Sequence, residues 1–205
     1  MNQRNYQKEL DKILDGLKAE GKVKRLLLHS CCAPCSSYVL EYLSQFFQIT
    51  VLFYNPNIYP PKEYEMRVKE ERRLIQEMRF VHPVDMVEGR YEPEEFYQAV
   101  KGLEKEDEGG NRCSKCFEMR LYEAAKAAKA GGYEFFTTTL TISPLKSASK
   151  LNEIGEQIAR ELGVAFLPSD FKKRDGYKRS IQLSQEYGLY RQDYCGCVFS
   201  MPIRT

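Results

Sequence analysis

No stretch of the sequence approaches the roughly 18 uninterrupted apolar residues of a membrane-spanning helix, and the opening MNQRNYQKELDKILDGLKAEGK lacks the apolar centre of a secretory leader. These absences set the expectation of a cytoplasmic protein with no membrane partner. Excess charge is missing as well: 31 Lys and Arg face 29 Asp and Glu, a formal net charge of +2. Composition therefore does not announce nucleic acid. Internal repeats, low-complexity tracts and linker-like stretches are absent too. What is present is an ordinary 42% hydrophobic and 29% charged content over 205 residues, enough for one domain with a sizeable core. The expectation is a single domain over 1–205, with an N-terminal helical extension at 1–22 and an α/β core and tail at 23–200.

The periodicity supports that division. Leu10, Ile13, Leu14 and Leu17 recur at helical spacing over Tyr6 to Leu17, and Gly21 stops the pattern. Val23 to His29 reads as a buried strand and Ser36 to Phe47 as a helix. Ile49 to Tyr54 is a second strand, closed by the proline-rich loop Asn55 to Pro61. Lys62 to Met78 is a strongly charged helix. Phe80 to Val87 is a third strand weakened by His82-Pro83, and Tyr91 to Phe96 resembles a helix start with Pro93 in its first turn. Gly102 to Arg112 reads as an exposed loop delivering Cys113, and Cys116 to Ala130 as a helix closed by Gly131-Gly132. Tyr133 to Leu140 is a strand, Leu151 to Leu162 a helix, Val164 to Leu167 a short strand, and the tail from Gly176 a helix followed by a loop. This alternation predicts an open, mostly parallel α/β sheet with helices on both faces, and ligands then bind beyond the C-terminal strand ends.

Seven cysteines fall into three groups, Cys31-Cys32-x-x-Cys35, Cys113-x-x-Cys116 and Cys195-x-Cys197. In a reducing compartment such grouping points to metal binding or redox chemistry rather than to a disulfide framework. Four readings stay open on spacing alone. The sulfurs can be buried apolar filler. Cys32, Cys35, Cys113 and Cys116 can form a tetrahedral zinc site. Cys32-Ala33-Pro34-Cys35 at a strand-to-helix turn can be a redox dithiol of lowered pKa. Thiolates from separated segments can also hold an iron–sulfur cluster, in which even neighbouring cysteines ligate. The pair Cys195-Gly196-Cys197 can close a strained, labile disulfide beside such a centre.

Four motifs carry a resemblance. The strand end Leu28 to Cys35, the segment Arg112-Cys113-Ser114-Lys115-Cys116-Phe117, the strand Phe136 to Leu140 followed by Ser143-Pro144, and the segment Tyr190 to Cys197 together resemble the epoxyqueuosine reductase QueH family, from about Leu26 to Ser200. The resemblance implies a cobalamin-independent oxidoreductase that carries a 4Fe-4S cluster on a HUP-like fold. It implies reduction of epoxyqueuosine to queuosine in the anticodon loop of tRNA, with an unidentified electron donor. It also implies Cys31, Cys32, Cys113 and Cys116 as cluster ligands and Cys195 with Cys197 as a redox-active pair. Cys35 is left between ligand of an ancillary metal ion and spectator. HSCCAPC stands where ATP-using relatives of that fold carry a Gly-rich loop, which argues against ATP chemistry.

Removing an epoxide oxygen takes two electrons and two protons. Asp193, beside the redox pair, is the leading candidate proton donor, with His29 and Tyr194 as others. Phe171 to Arg179 concentrates cations near the aromatics Phe171 and Tyr177, as an RNA contact would, although charge runs are often only solvated faces. Tyr54, Asn55 and Asn57 are candidates to line the substrate pocket. A zinc-stabilised nucleic-acid-binding module and a protein-thiol oxidoreductase are the competing functions.

Overall fold

The structure, a computed structural model, describes residues 4–201. Residues 1–3 and 202–205, which the single-domain expectation includes, lie outside the described residues. Helix α1 (Tyr6–Glu20) starts where the Asn5 side chain accepts the Lys8 N–H, and ends where Gly21 turns left-handed at φ 62°. Strand β1 (Lys24–His29) leads into α2 (Ala33–Leu43), which begins three residues before the expected Ser36. Pro34 sits in its first turn, where a missing N–H costs nothing. Cys32 is therefore the N-cap and Cys35 is helical.

The next elements are β2 (Phe47–Phe53), α3 (Pro61–Glu77), β3 (Val84–Glu88, wholly beyond His82-Pro83) and α4 (Pro93–Ala99). Helix α5 (Asn111–Ala130) corrects an expectation, because Cys113 lies in its first turn rather than on a loop. Gly110 caps α5 without a side chain, and the Glu106 carboxylate accepts the Asn111 and Arg112 N–H groups instead. Strand β4 (Phe135–Thr138) ends earlier than Leu140, in a 3-10 turn at Thr139–Ile142. Then come α6 (Ala148–Leu162), β5 (Ala165–Phe166), α7 (Gly176–Glu186) and a 3-10 turn at Val198–Ser200.

The five strands run in the order β3-β2-β1-β4-β5, and every pair is parallel. Alternation along the strands splits the core in two. Leu26 and Leu28 of β1 pack with α1 and α2 on one face, while Leu27 packs with α5 and α6 on the other. The expected α/β sheet with helices on both faces is the observed one. The chain builds β2 and β3 to one side of β1, then returns to place β4 on the other. The strand order thus reverses between β1 and β4, and the crevice beyond their C-terminal ends is where such a sheet holds ligands.

Candidate redox and metal site

All three cysteine groups converge on that crevice. Cys31, Cys32 and Cys35 bring their sulfurs within 4.8 Å of one another, with 3.9 Å between the first two. Cys31, Cys113, Cys116, Cys195 and Cys197 line one cavity of about 140 Å³. A second cavity of about 320 Å³ opens beside it, lined by Cys31, Cys35, Asp193, Tyr194 and Cys195 among others. Cys31 and Cys195 border both. All seven cysteines are free thiols, the Cys195/Cys197 pair included.

Two helix N-termini carry the first two groups, α2 under Cys32–Cys35 and α5 under Cys113–Cys116. Their positive dipole ends favour thiolates. The Gly109 N–H also donates to the Cys113 sulfur at 3.2 Å, as does Gln192 Nε2 to the Cys32 sulfur at 2.9 Å. Hydrogen bonds from Cys32 and Cys35 hold the Cys31 thiol well below its ordinary range, while the same sharing pushes Cys32 up to about 12 and raises Cys35. One thiolate among three thiols is the sense of those directions. The second pair is equally uneven: Cys197 holds Cys195 low, with lesser help from the Lys146 charge, and is itself raised.

Arg120 is the least expected member of the site. Four residues after Cys116 on α5, it is buried and has no carboxylate partner among the described residues. Its guanidinium donates to Asn55 Oδ1 at 2.6 Å, to His29 Nε2 at 3.3 Å and to the Cys116 sulfur at 3.9 Å. A buried cation without a counter-charge costs several kcal/mol, so the negative charge must come from the sulfurs or from what they hold. Arg112 lines the same cavity and has a buried Nε with no acceptor. This surplus of buried positive charge fits an anionic thiolate-bound group, and the seven sulfurs supply the donors for one.

His29, a sequence candidate for proton donor, belongs to this support. Burial, with the Arg120 charge, lowers its pKa to about 3. Its Nδ1 lies 2.9 Å from the Thr138 hydroxyl, and its Nε2 lies 3.3 Å from Arg120 Nε and 3.2 Å from the Tyr54 carbonyl. These contacts make it a buried, hydrogen-bonded side chain between β4, α5 and the Asn55 loop. The Tyr194 hydroxyl donates to the Tyr59 carbonyl at 2.5 Å, and burial raises its pKa to about 12. Asp193 is exposed on the larger cavity. Of the pocket candidates, Asn57 lines the smaller cavity with an unpartnered Oδ1. Asn55 instead ties Arg120 to the Ser30 carbonyl, and the Tyr54 hydroxyl is committed to Glu95.

The basic segment is also corrected in part. Phe171 is buried in the core under α1 and α2 and offers no stacking face. Arg174 pairs with Asp11, Lys172 with Asp170, and Arg179 with Glu41 and Glu186. Tyr177 remains, 37% exposed on the larger cavity, with Lys173 and Lys178 exposed near it.

Comparison with known proteins supplies the remaining finding. A family model described as epoxyqueuosine reductase QueH matches residues 26–202. The chain is 46% identical over 200 residues to an epoxyqueuosine reductase QueH from Staphylococcus epidermidis, covering 96% of this chain and 84% of that protein. It is 45% identical over 200 residues to the protein of that name from Staphylococcus aureus, at 96% and 83% coverage. To the Thermotoga maritima protein of that name it is 37% identical over 182 residues, covering 86% of this chain and 90% of that one.

Proposed function

The chain belongs to the epoxyqueuosine reductase QueH family, and from that premise we propose that it reduces epoxyqueuosine to queuosine in the anticodon loop of tRNA. In this reading Cys31, Cys32, Cys113 and Cys116 hold a 4Fe-4S cluster, Cys35 is available to an ancillary metal ion, and cobalamin has no part. Residues 23–200 act as one cluster-binding unit, in the cytoplasm, and the electrons come from a donor the chain does not carry. The observation that carries the reading is the buried Arg120 guanidinium against Cys116, whose charge an anionic thiolate-bound group would balance.

When bound, the cluster would supply one-electron transfer. The chain's own residues supply the rest. Cys195 and Cys197 are one low and one high thiol, the asymmetry that an attacking and a leaving sulfur need. Their oxidation to a disulfide releases two electrons and two protons. Those match the demand when an epoxide loses its oxygen as water and becomes an alkene. Gln192 and the helix N-termini favour anionic sulfur. Asp193, free on the rim of the larger cavity, is the acid through which protons would enter.

The Cys31, Cys32 and Cys35 triad favours a second reading, because three sulfurs within 4.8 Å provide three of the four ligands of a structural zinc. One preparation separates the two. Protein purified without oxygen is expected to be brown, with about four irons and four sulfides per chain, and to convert epoxyqueuosine in tRNA once a reductant is added. A colourless protein with one zinc and no sulfide, inactive on that tRNA, would sink the reductase mechanism.

A further inference from the structure

The loop Ser143 to Ser147 leaves β4 at the strand-order reversal, opposite the turn that carries Cys31. Its Lys146 has no counterpart in the cysteine motifs, yet it borders both cysteine cavities, with Cys31, Cys195, Glu108 and Leu145 as the other residues common to the two. It also borders a third cavity at the start of α6. Among the described residues its ammonium makes no ion pair and no hydrogen bond. The other cations of the two cavities are mostly engaged. Arg120 is held by Asn55, His29 and Cys116, Arg112 by the Glu104 and Glu106 carbonyls, Lys150 by the Gly109 carbonyl and Arg191 by the Ser184 hydroxyl. Lys146 is the cation left with its donors free where the two cavities meet.

We propose that Lys146 is a catalytic residue of the reduction: its ammonium donates a hydrogen bond to the epoxide oxygen and holds the negative charge that develops there as the ring opens. The inference rests on the reductase reading above. In the overall step both C–O bonds of the epoxide break and one C=C bond forms. Two electrons come from a low-potential reductant, and two protons from solvent leave with the oxygen as water. Lys146 gives up no proton; it supplies fixed positive charge and one directed donor. Of the other polar groups on the larger cavity, the Tyr194 hydroxyl is committed to Tyr59 and Asp193 is an acceptor when ionised. A pre-positioned donor at a developing oxyanion is worth about a hundred- to a thousandfold in rate.

The test uses cluster-loaded protein, an epoxyqueuosine-containing anticodon stem-loop and dithionite as reductant. Lys146→Met is expected to lower kcat about a hundredfold with KM within threefold, while Lys146→Arg, which keeps charge and donor, stays within tenfold of the native rate. Iron and sulfide content, stem-loop affinity by fluorescence anisotropy, and the salt dependence of that affinity should match the native protein in both variants. Native kcat in Lys146→Met would overturn the inference. So would a loss confined to affinity and its salt slope, which marks a phosphate contact, or a loss of iron, which marks a structural role. Native loaded protein that leaves epoxyqueuosine intact would overturn the reductase reading, and the inference with it.

Discussion

Gly196 separates the two tail cysteines at φ 112°, a backbone region closed to side chains. A Cβ there would also stand 3.0 Å from both Arg67 Nη1 and Ile58 Cγ1. Gly196→Ala is expected to cost about 1–3 kcal/mol of local stability, read as faster hydrogen exchange at Tyr59, whose N–H donates to the Gly196 carbonyl at 2.8 Å. Glu71 on α3 is fully buried with neither oxygen hydrogen-bonded, and burial raises its pKa to about 7 from an ordinary 4.5. Between those values the folded chain keeps a proton that the unfolded chain loses, so Glu71 costs stability increasingly as pH rises from 4.5 to 7. Glu71→Gln should therefore gain on the native protein with rising pH, by up to about 3 kcal/mol at pH 8, with the urea midpoints converging near pH 5. Arg120→Met should leave less than half the native iron per chain after anaerobic purification, because the anionic site then lacks its balancing charge. Full iron retention would separate Arg120 from the cofactor.

At the scale of elements, α3 reads in the sequence as a strongly charged helix. One stripe of it is instead a clamp. Arg67 donates to the Cys195 and Tyr194 carbonyls at 3.3 and 3.5 Å, Arg73 to the Tyr187 carbonyl at 3.0 Å, and Glu70 accepts the Tyr190 N–H at 2.9 Å. The spacing 63, 67, 70 and 73 is that of one helix face, but whether a charged face meets solvent or another segment is decided by tertiary packing. Arg67→Met should speed amide exchange in residues 189–197 at least tenfold and leave the β1 and β2 amides unchanged. Helix starts were hidden for a related reason. The first turn of α2 rests on Pro34 and that of α5 on the distant Glu106 carboxylate, and neither extends the apolar period by which a helix is recognised.

For the whole molecule, the strand and helix alternation was legible because both faces of the sheet demand apolar strands, and the cysteine groups because their spacing is tight. Arg120 was within reach, lying four residues after Cys116 on one helix. Lys146 and Gln192 were not, since only the chain's return from β3 to β4 and the docking of the tail bring them to Cys31 and Cys32. Tyr177 lines the larger cavity and Lys173 the cavity at the start of α6, and Lys178, next to Tyr177 in the chain, is exposed. Exchanging both lysines for alanine should weaken stem-loop binding several-fold and shallow its salt slope by about one for each phosphate that is no longer neutralised; unchanged affinity and slope would move the RNA to another face.

The bond from Gln192 to Cys32 joins positions 160 apart, and it has a bearing on biosynthesis. A chain made from its N-terminus completes the β1 turn and α5 before the segment that carries Gln192, Cys195 and Cys197 exists. Until that segment emerges and docks on α3, the two cavities lack the wall that Asp193, Tyr194, Cys195 and Cys197 contribute. Loading of the proposed cluster is therefore expected to be faster on a chain still lacking that segment than on the complete fold, as read by iron uptake.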